Sequence, residues 1–156
     1  FLDMGRRVER GINTCRFARV FADDVATADD LDILLDLIDS QITYRSRYVI
    51  GMALAPVRDM CLLDPFNPRS VGFQIARLSE HLAQLPTLVV DGLFEEPRRL
   101  VVRLEADAQS ASAEEIDARL ILAYEQRLMS LADAVAARYF LQRPGKPGRR
   151  APSSLG

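Results

Sequence analysis

Apolar residues recur with a period close to 3.6 along nearly the whole chain, and no stretch of strict alternation is bounded by hairpin turns. The pattern predicts an all-α protein. A first helix is read over Phe1 to Ala22, where the polar stretch Ala22 to Asp30 breaks it. A second is expected after Thr27 and runs to about Ile50, with Asp29, Asp30 and Asp32 at its start, where the helix dipole favours anions. Gly51 ends it. Pro56 opens a short helix reaching Leu63. Asn67 is read as the cap of a fourth helix, opened by Pro68 and running to Gln84, with the inward stripe Val71, Ile75, Leu78, Leu82 and Leu85. Residues 86–94 are apolar without a helical signature and read as a packed connector, since a short strand there has no obvious partner. A fifth helix follows from Pro97 to about Ser110, and Ser112 with Glu115 forms a capping box for a long sixth helix ending near Phe140. Short connectors join these elements, so the fold class is an antiparallel helical bundle of about five to six helices. The bundle spans residues 1–141, and residues 142–156, rich in Arg, Pro, Gly and Ser, are expected to be a disordered tail.

Two helices carry polar groups where a bundle expects apolar ones. On the first, Leu2, Gly5, Glu9, Asn13, Arg16 and Val20 step by three and four and share one stripe, with Arg6 and Arg10 beside it and the row Val8, Ile12, Cys15 on its other flank. A charged centre between apolar ends predicts partial burial, and buried charges must be paired. On the second, the stripe Leu31, Leu35, Ile38, Ile42, Arg45 and Val49 places Arg45 in an aliphatic slot, with Tyr44, Arg47 and Tyr48 in the same turn. Arg69, after Asn67 and Pro68, is a further candidate. One reading is an internal network in which Glu9 pairs across helices with Arg45 or Arg69. The other is a carboxylate or phosphate site formed by Arg6, Arg10, Arg45 and Arg47 around Glu9.

Charge and composition narrow the function classes. The net charge is −2, but all five basic residues from Arg138 onward follow the last acid, Asp133, so the body is mildly acidic and nucleic-acid binding through a broad basic face is disfavoured. The longest uncharged stretch, Tyr48 to Val57, is far short of the roughly 20 residues that span a bilayer. Cys15 and Cys61 have no CxxC spacing and read as reduced, buried thiols in a cytoplasmic setting. The opening at Phe1, inside a helical pattern and without a cap, reads as the interior of a longer chain rather than a signal peptide. His81 is the single histidine, at a helix end, and no Walker A, dinucleotide GxGxxG or Glu-x-x-His sequence is present. No catalytic residue, metal site or cofactor is therefore assigned from the sequence.

The run Gly5-Arg6-Arg7-Val8-Glu9-Arg10-Gly11-Ile12-Asn13-Thr14-Cys15-Arg16 resembles the glycine, arginine, ER-x-x-N-T-x-R signature of the bacterial alpha-E domain family. Three further blocks follow in the same order: Asp39 to Tyr48 (DSQITYRSRY), Leu54 to Val57, and Leu62-Leu63-Asp64 leading into Asn67-Pro68-Arg69-Ser70. Arg7, where an aromatic is common in the family's first copy, and Gly51-Met52-Ala53 depart from the pattern. The resemblance covers residues 1 to 140 and is to the C-terminal half of the domain. It implies an all-helical fold and association with circularly permuted ATP-grasp proteins, ligase-like enzymes expected to form amide bonds, and with transglutaminase-like proteins. The residues it marks as a motif or ligand set are Arg6, Glu9, Arg10, Asn13, Arg16, Tyr44, Arg45, Arg47, Asn67 and Arg69.

Two functions compete. The first is a non-catalytic accessory module that docks on an ATP-grasp ligase or its peptide product. The second is a ligand-binding or catalytic domain with Glu9 as base, which is disfavoured because a carboxylate among guanidinium groups makes a poor base. If an N-terminal half is missing, the apolar residues Leu2, Phe17 and Val20 predict an association surface and a homodimer of the isolated chain.

Overall fold

The computed structural model describes residues 1–49 and 51–141; the end of the expected second helix at Ile50 and the expected disordered tail at 142–156 lie outside them. The elements are α1 (Leu2–Phe21), α2 (Ala28–Leu37), α3 (Gln41–Arg47), α4 (Leu54–Arg58), α5 (Val71–Gln84), β1 (Val89–Val90), β2 (Leu93–Phe94), α6 (Glu96–Ser110) and α7 (Ala118–Tyr139). A π-helical turn, Asp59–Leu63, continues α4, and a 3-10 turn, Ala113–Glu115, precedes α7.

The four long helices close a ring in which α1 packs on α7 and α5, and α6 packs on α5 and α7. Side-chain pairs give the directions. Phe1 stacks on Phe140 while Arg16 meets Glu125, so α1 and α7 run antiparallel. Asp3 meets His81 and Arg7 meets Gln74 on α5, and Glu95 and Asp107 of the α6 region meet Arg138 and Arg127 of α7. The expected antiparallel helical bundle is what forms. Its core is aliphatic, with Leu34, Leu62, Leu78, Leu104, Ile121 and Leu128 at its centre, and α2 to α4 form a side layer against α1. Along its middle, helix α1 approaches closely because the buried residues there, Gly11, Thr14, Cys15 and Ala18, are small, with the larger Met4 buried near its start.

Four expectations are corrected. The second helix is broken: Asp39 adopts φ +54°, Ser40 N–H reaches Leu35 O at 2.8 Å and Asp39 N–H reaches Asp36 O at 3.0 Å, a Schellman stop with Asp where Gly is usual. Beyond it the stripe fails, since Tyr44 turns inward while Ile42, Arg45 and Val49 face solvent. Ser70, not Asn67, caps α5 by accepting from Phe73 N–H at 2.9 Å; Asn67 is buried, and its amide donates to Ser40 Oγ and Met60 O. The Ser112–Glu115 capping box forms but opens the 3-10 turn, and Asp117 caps α7. The 86–94 connector contains a two-stranded hairpin pairing Val89 with Phe94 and Val90 with Leu93, through an Asp91-Gly92 turn with both φ positive, as a type I′ turn requires.

Gly72, at the start of α5, lies against the π-helical turn. A Cβ there would sit 2.7 Å from Leu63 O and 3.1 Å from Leu63 C, both backbone atoms that cannot step aside. Gly72→Ala should therefore cost about 1–3 kcal/mol, read as a lower urea midpoint with an unchanged slope. Gly11 makes a contrast, because its added Cβ would meet a side-chain methyl rather than backbone, Leu128 Cδ1 at 2.8 Å.

Candidate functional site

With its inward face made of small residues, α1 presents a polar outer face. Arg6, Glu9, Arg10 and Asn13 follow the i, i+3, i+4, i+7 spacing of one helical face and line a cleft of about 320 Å³. The opposite wall is the end of α2, Leu37 and Ile38, together with Asp39 and Arg69. Asp39 reaches this position through its left-handed backbone, and Arg69 Nη2 donates to its Oδ2 at 2.9 Å. Asn67 holds the loop beneath: its Oδ1 accepts from Arg69 N–H at 3.2 Å while its amide is tied to Ser40 and Met60. Phe17 and buried Thr14 line the cleft alongside.

The structure thus brings Arg6, Glu9, Arg10, Asn13 and Arg69 together and separates the other sequence candidates from them. The partial burial expected for the α1 stripe is confined to Asn13; Gly5, Arg6, Glu9, Arg10 and Arg16 are exposed. The expected pairing of Glu9 with Arg45 or Arg69 does not form. Arg45 Nη2 lies 3.7 Å from Asp32 Oδ1 instead, and Arg69 is taken by Asp39. Among the described residues Arg6, Glu9 and Arg10 have no hydrogen-bonding or ionic partner, so this face carries charge that the fold does not use. Arg47 pairs with buried Asp64, and the Asp64 carboxylate raises the guanidinium pKa further. Tyr44 is buried and structural: its hydroxyl donates to Gly51 O at 2.9 Å and accepts from Ala53 N–H at 3.3 Å.

The buried charges lie elsewhere. Glu125, on the inward stripe of α7 between Ile121 and Leu128, accepts from Arg16 Nε at 2.9 Å and Arg19 Nη2 at 2.6 Å. Arg58 is buried and donates to Ala22 O, Ile116 O and Asp24 Oδ1. The anomaly that singled out Arg45, a charge in an aliphatic slot, marks Glu125 equally well in the sequence. Burial pushes the Cys15 thiol up to about 12, with Glu125 adding to the effect, and raises the Cys61 thiol as well. On the surface, hydrogen bonds from Arg7 and His81 lower the Asp3 pKa. Among the described residues no group of three or more His, Cys, Asp or Glu is placed to hold a metal ion.

A second opening lies on the other side of Glu9 and Asn13. It is a largely apolar groove of about 490 Å³ between α1 and α7, with Met4, Val8 and Ile12 on one wall and Met129, Ala132, Val135 and Ala136 on the other. Phe1 and Phe140 close one end, their ring centroids 4.7 Å apart. Glu9 and Asn13 line both openings and form the ridge between them.

These features define a helical domain whose Glu-Arg pair sits on an exposed ridge flanked by a charged cleft and an apolar groove. The chain belongs to the Alpha-E family, described as a predicted alpha-helical domain with a conserved ER motif, and the match covers residues 1–140. The motif pair is Glu9-Arg10. Similar proteins include an uncharacterised protein of Mycobacterium tuberculosis and one of Mycobacterium bovis, each 26% identical over 151 residues, which is 87% of this chain and 17% of theirs. The chain thus spans about a sixth of the length of these curated relatives. No solved structure matches it.

The two glutamates should behave in opposite ways. Glu125→Gln removes the buried acceptor of two partly exposed arginines and should cost about 1–2 kcal/mol in chemical denaturation, whereas Glu9→Gln should stay within about 0.5 kcal/mol of the parent. Cys15 and Cys61, buried and shifted upward, should resist alkylation at pH 8 until the protein is unfolded.

Proposed function

We propose that this domain is an accessory module without chemistry of its own, which docks through the α1–α7 groove onto another part of a longer protein. The observation that carries the reading is the groove itself: an apolar channel lined by two helices, with Met129 and Phe140 exposed along it. A soluble surface rarely leaves such a channel open unless something binds there. The length of the relatives supports an occupant from the same polypeptide, since about five-sixths of each lies outside the matched region. The family resemblance points to a circularly permuted ATP-grasp ligase as that occupant. The sequence features that favoured a cytoplasmic setting fit such a role, and no helix among the described residues is long and apolar enough to cross a membrane.

Ala132 lies in the groove wall and is half-buried, so Ala132→Glu introduces a charge into the channel with little change to the core. Titration of the chain into an ATP-grasp ligase segment from a longer Alpha-E protein should give saturable binding, weakened about tenfold or more by Ala132→Glu. Equal binding by parent and variant, or none by either, would overturn the reading. A dimer in sedimentation equilibrium that Ala132→Glu dissociates would assign the groove to a second copy of the chain instead.

A further inference from the structure

Arg6 and Arg10 are one turn apart on the same face of α1, and both line the cleft opposite Asp39 and Arg69. Arg7 and Arg77 pair with Asp3 and Glu80, each within one turn of its own helix. Arg6 and Arg10 have no carboxylate within ion-pair distance among the described residues, although Glu9 lies between them in sequence. The far wall is anchored from beneath: Asp39 ends α2 in the left-handed region of its Schellman stop, its carboxylate accepts from Arg69, and the buried Asn67 accepts from the Arg69 backbone N–H.

We infer that this cleft binds a small monocarboxylate bearing an apolar group, of the kind a peptide's C-terminal residue presents. Arg6 and Arg10 receive the carboxylate, a geometry in which guanidinium groups donate paired hydrogen bonds. Phe17, Leu37 and Ile38 form an apolar wall for the side chain beside it. The charge balance selects the anion. Three arginines face Glu9 and Asp39, which leaves one net positive charge, enough for a monoanion, while a phosphate dianion would meet two carboxylates at close range. Glu9, unpartnered and on the cleft rim, is an acceptor for an amide N–H next to the carboxylate. A peptide C-terminus carries all three groups in that order: carboxylate, apolar side chain, amide N–H. This site lies on the opposite side of the Glu9–Asn13 ridge from the docking groove and does not depend on the groove being occupied.

The test titrates the chain with N-acetyl-leucyl-leucine, with its C-terminal amide and with inorganic phosphate. The free acid should bind saturably, in about the millimolar range, and at least about tenfold more tightly than the amide. Arg10→Gln and Arg6→Gln should each weaken the acid about tenfold and leave the thermal midpoint unchanged, because neither side chain supports the fold. Ala132→Glu should leave the titration as it is, which separates this site from the groove. Equal binding of acid and amide, tighter binding of phosphate, loss of no affinity in either arginine variant, or no saturable binding of the acid would each overturn the assignment.

Discussion

A buried guanidinium with no freedom to move ties the two layers of this domain together. Arg58 reaches from the end of α4 to the carbonyl of Ala22 after α1, the carbonyl of Ile116 before α7, and the carboxylate of Asp24. Breaking such an arrangement leaves a buried charge uncompensated, which costs several kcal/mol even though the intact network need not outperform apolar packing. Its contribution is therefore to register. Two of its three partners are backbone carbonyls at the end of one bundle helix and before another, so α4 is tied to both α1 and α7 at that end of the ring.

Much of this architecture can be read in the sequence, and the failures share a cause. The long helices α1, α5, α6 and α7 follow from their apolar periods, and the stripe of α5 is buried as the pattern predicts from Val71 to Leu82. The break after Ile38 is invisible to periodicity, because Ile42, Arg45 and Val49 continue the same spacing past the point where the helix stops. The stop is made by Asp39 and Ser40, and Asp carries a weaker signal for the left-handed region than Gly does. The hairpin at 89–94 is likewise marked only by its Asp-Gly turn, since strands of two residues are too short to show alternation.

The charges teach a different lesson. A polar stripe on α1 invites the inference that its members are buried and paired, yet the helix packs through its narrow row of small residues and leaves Arg6, Glu9 and Arg10 in solvent. The buried acid is Glu125, and its partners are Arg16 and Arg19 one turn and more further along the same helix. Arg16 is exposed, against the expected burial, and the glutamate it meets lies on α7 rather than α1. A charge in an aliphatic slot is informative only when every helix is searched for it, because pairing is a relation between helices that no single stripe contains.

That division of labour bears on how the Glu-Arg pair works. Charges that hold the fold together are buried or backbone-bound: Arg58, Glu125, Asp64 with Arg47. Charges at Glu9 and Arg10 satisfy nothing within the described residues, while the wall facing them is held by a buried asparagine and by the aspartate that ends α2. Arginines left in solvent on one wall, facing a wall that the buried Asn67 anchors, leave their donors open to an external carboxylate, which is the charge the inferred ligand brings. Glu9 and Asn13 also edge the apolar groove, so the same turn of α1 separates the two openings.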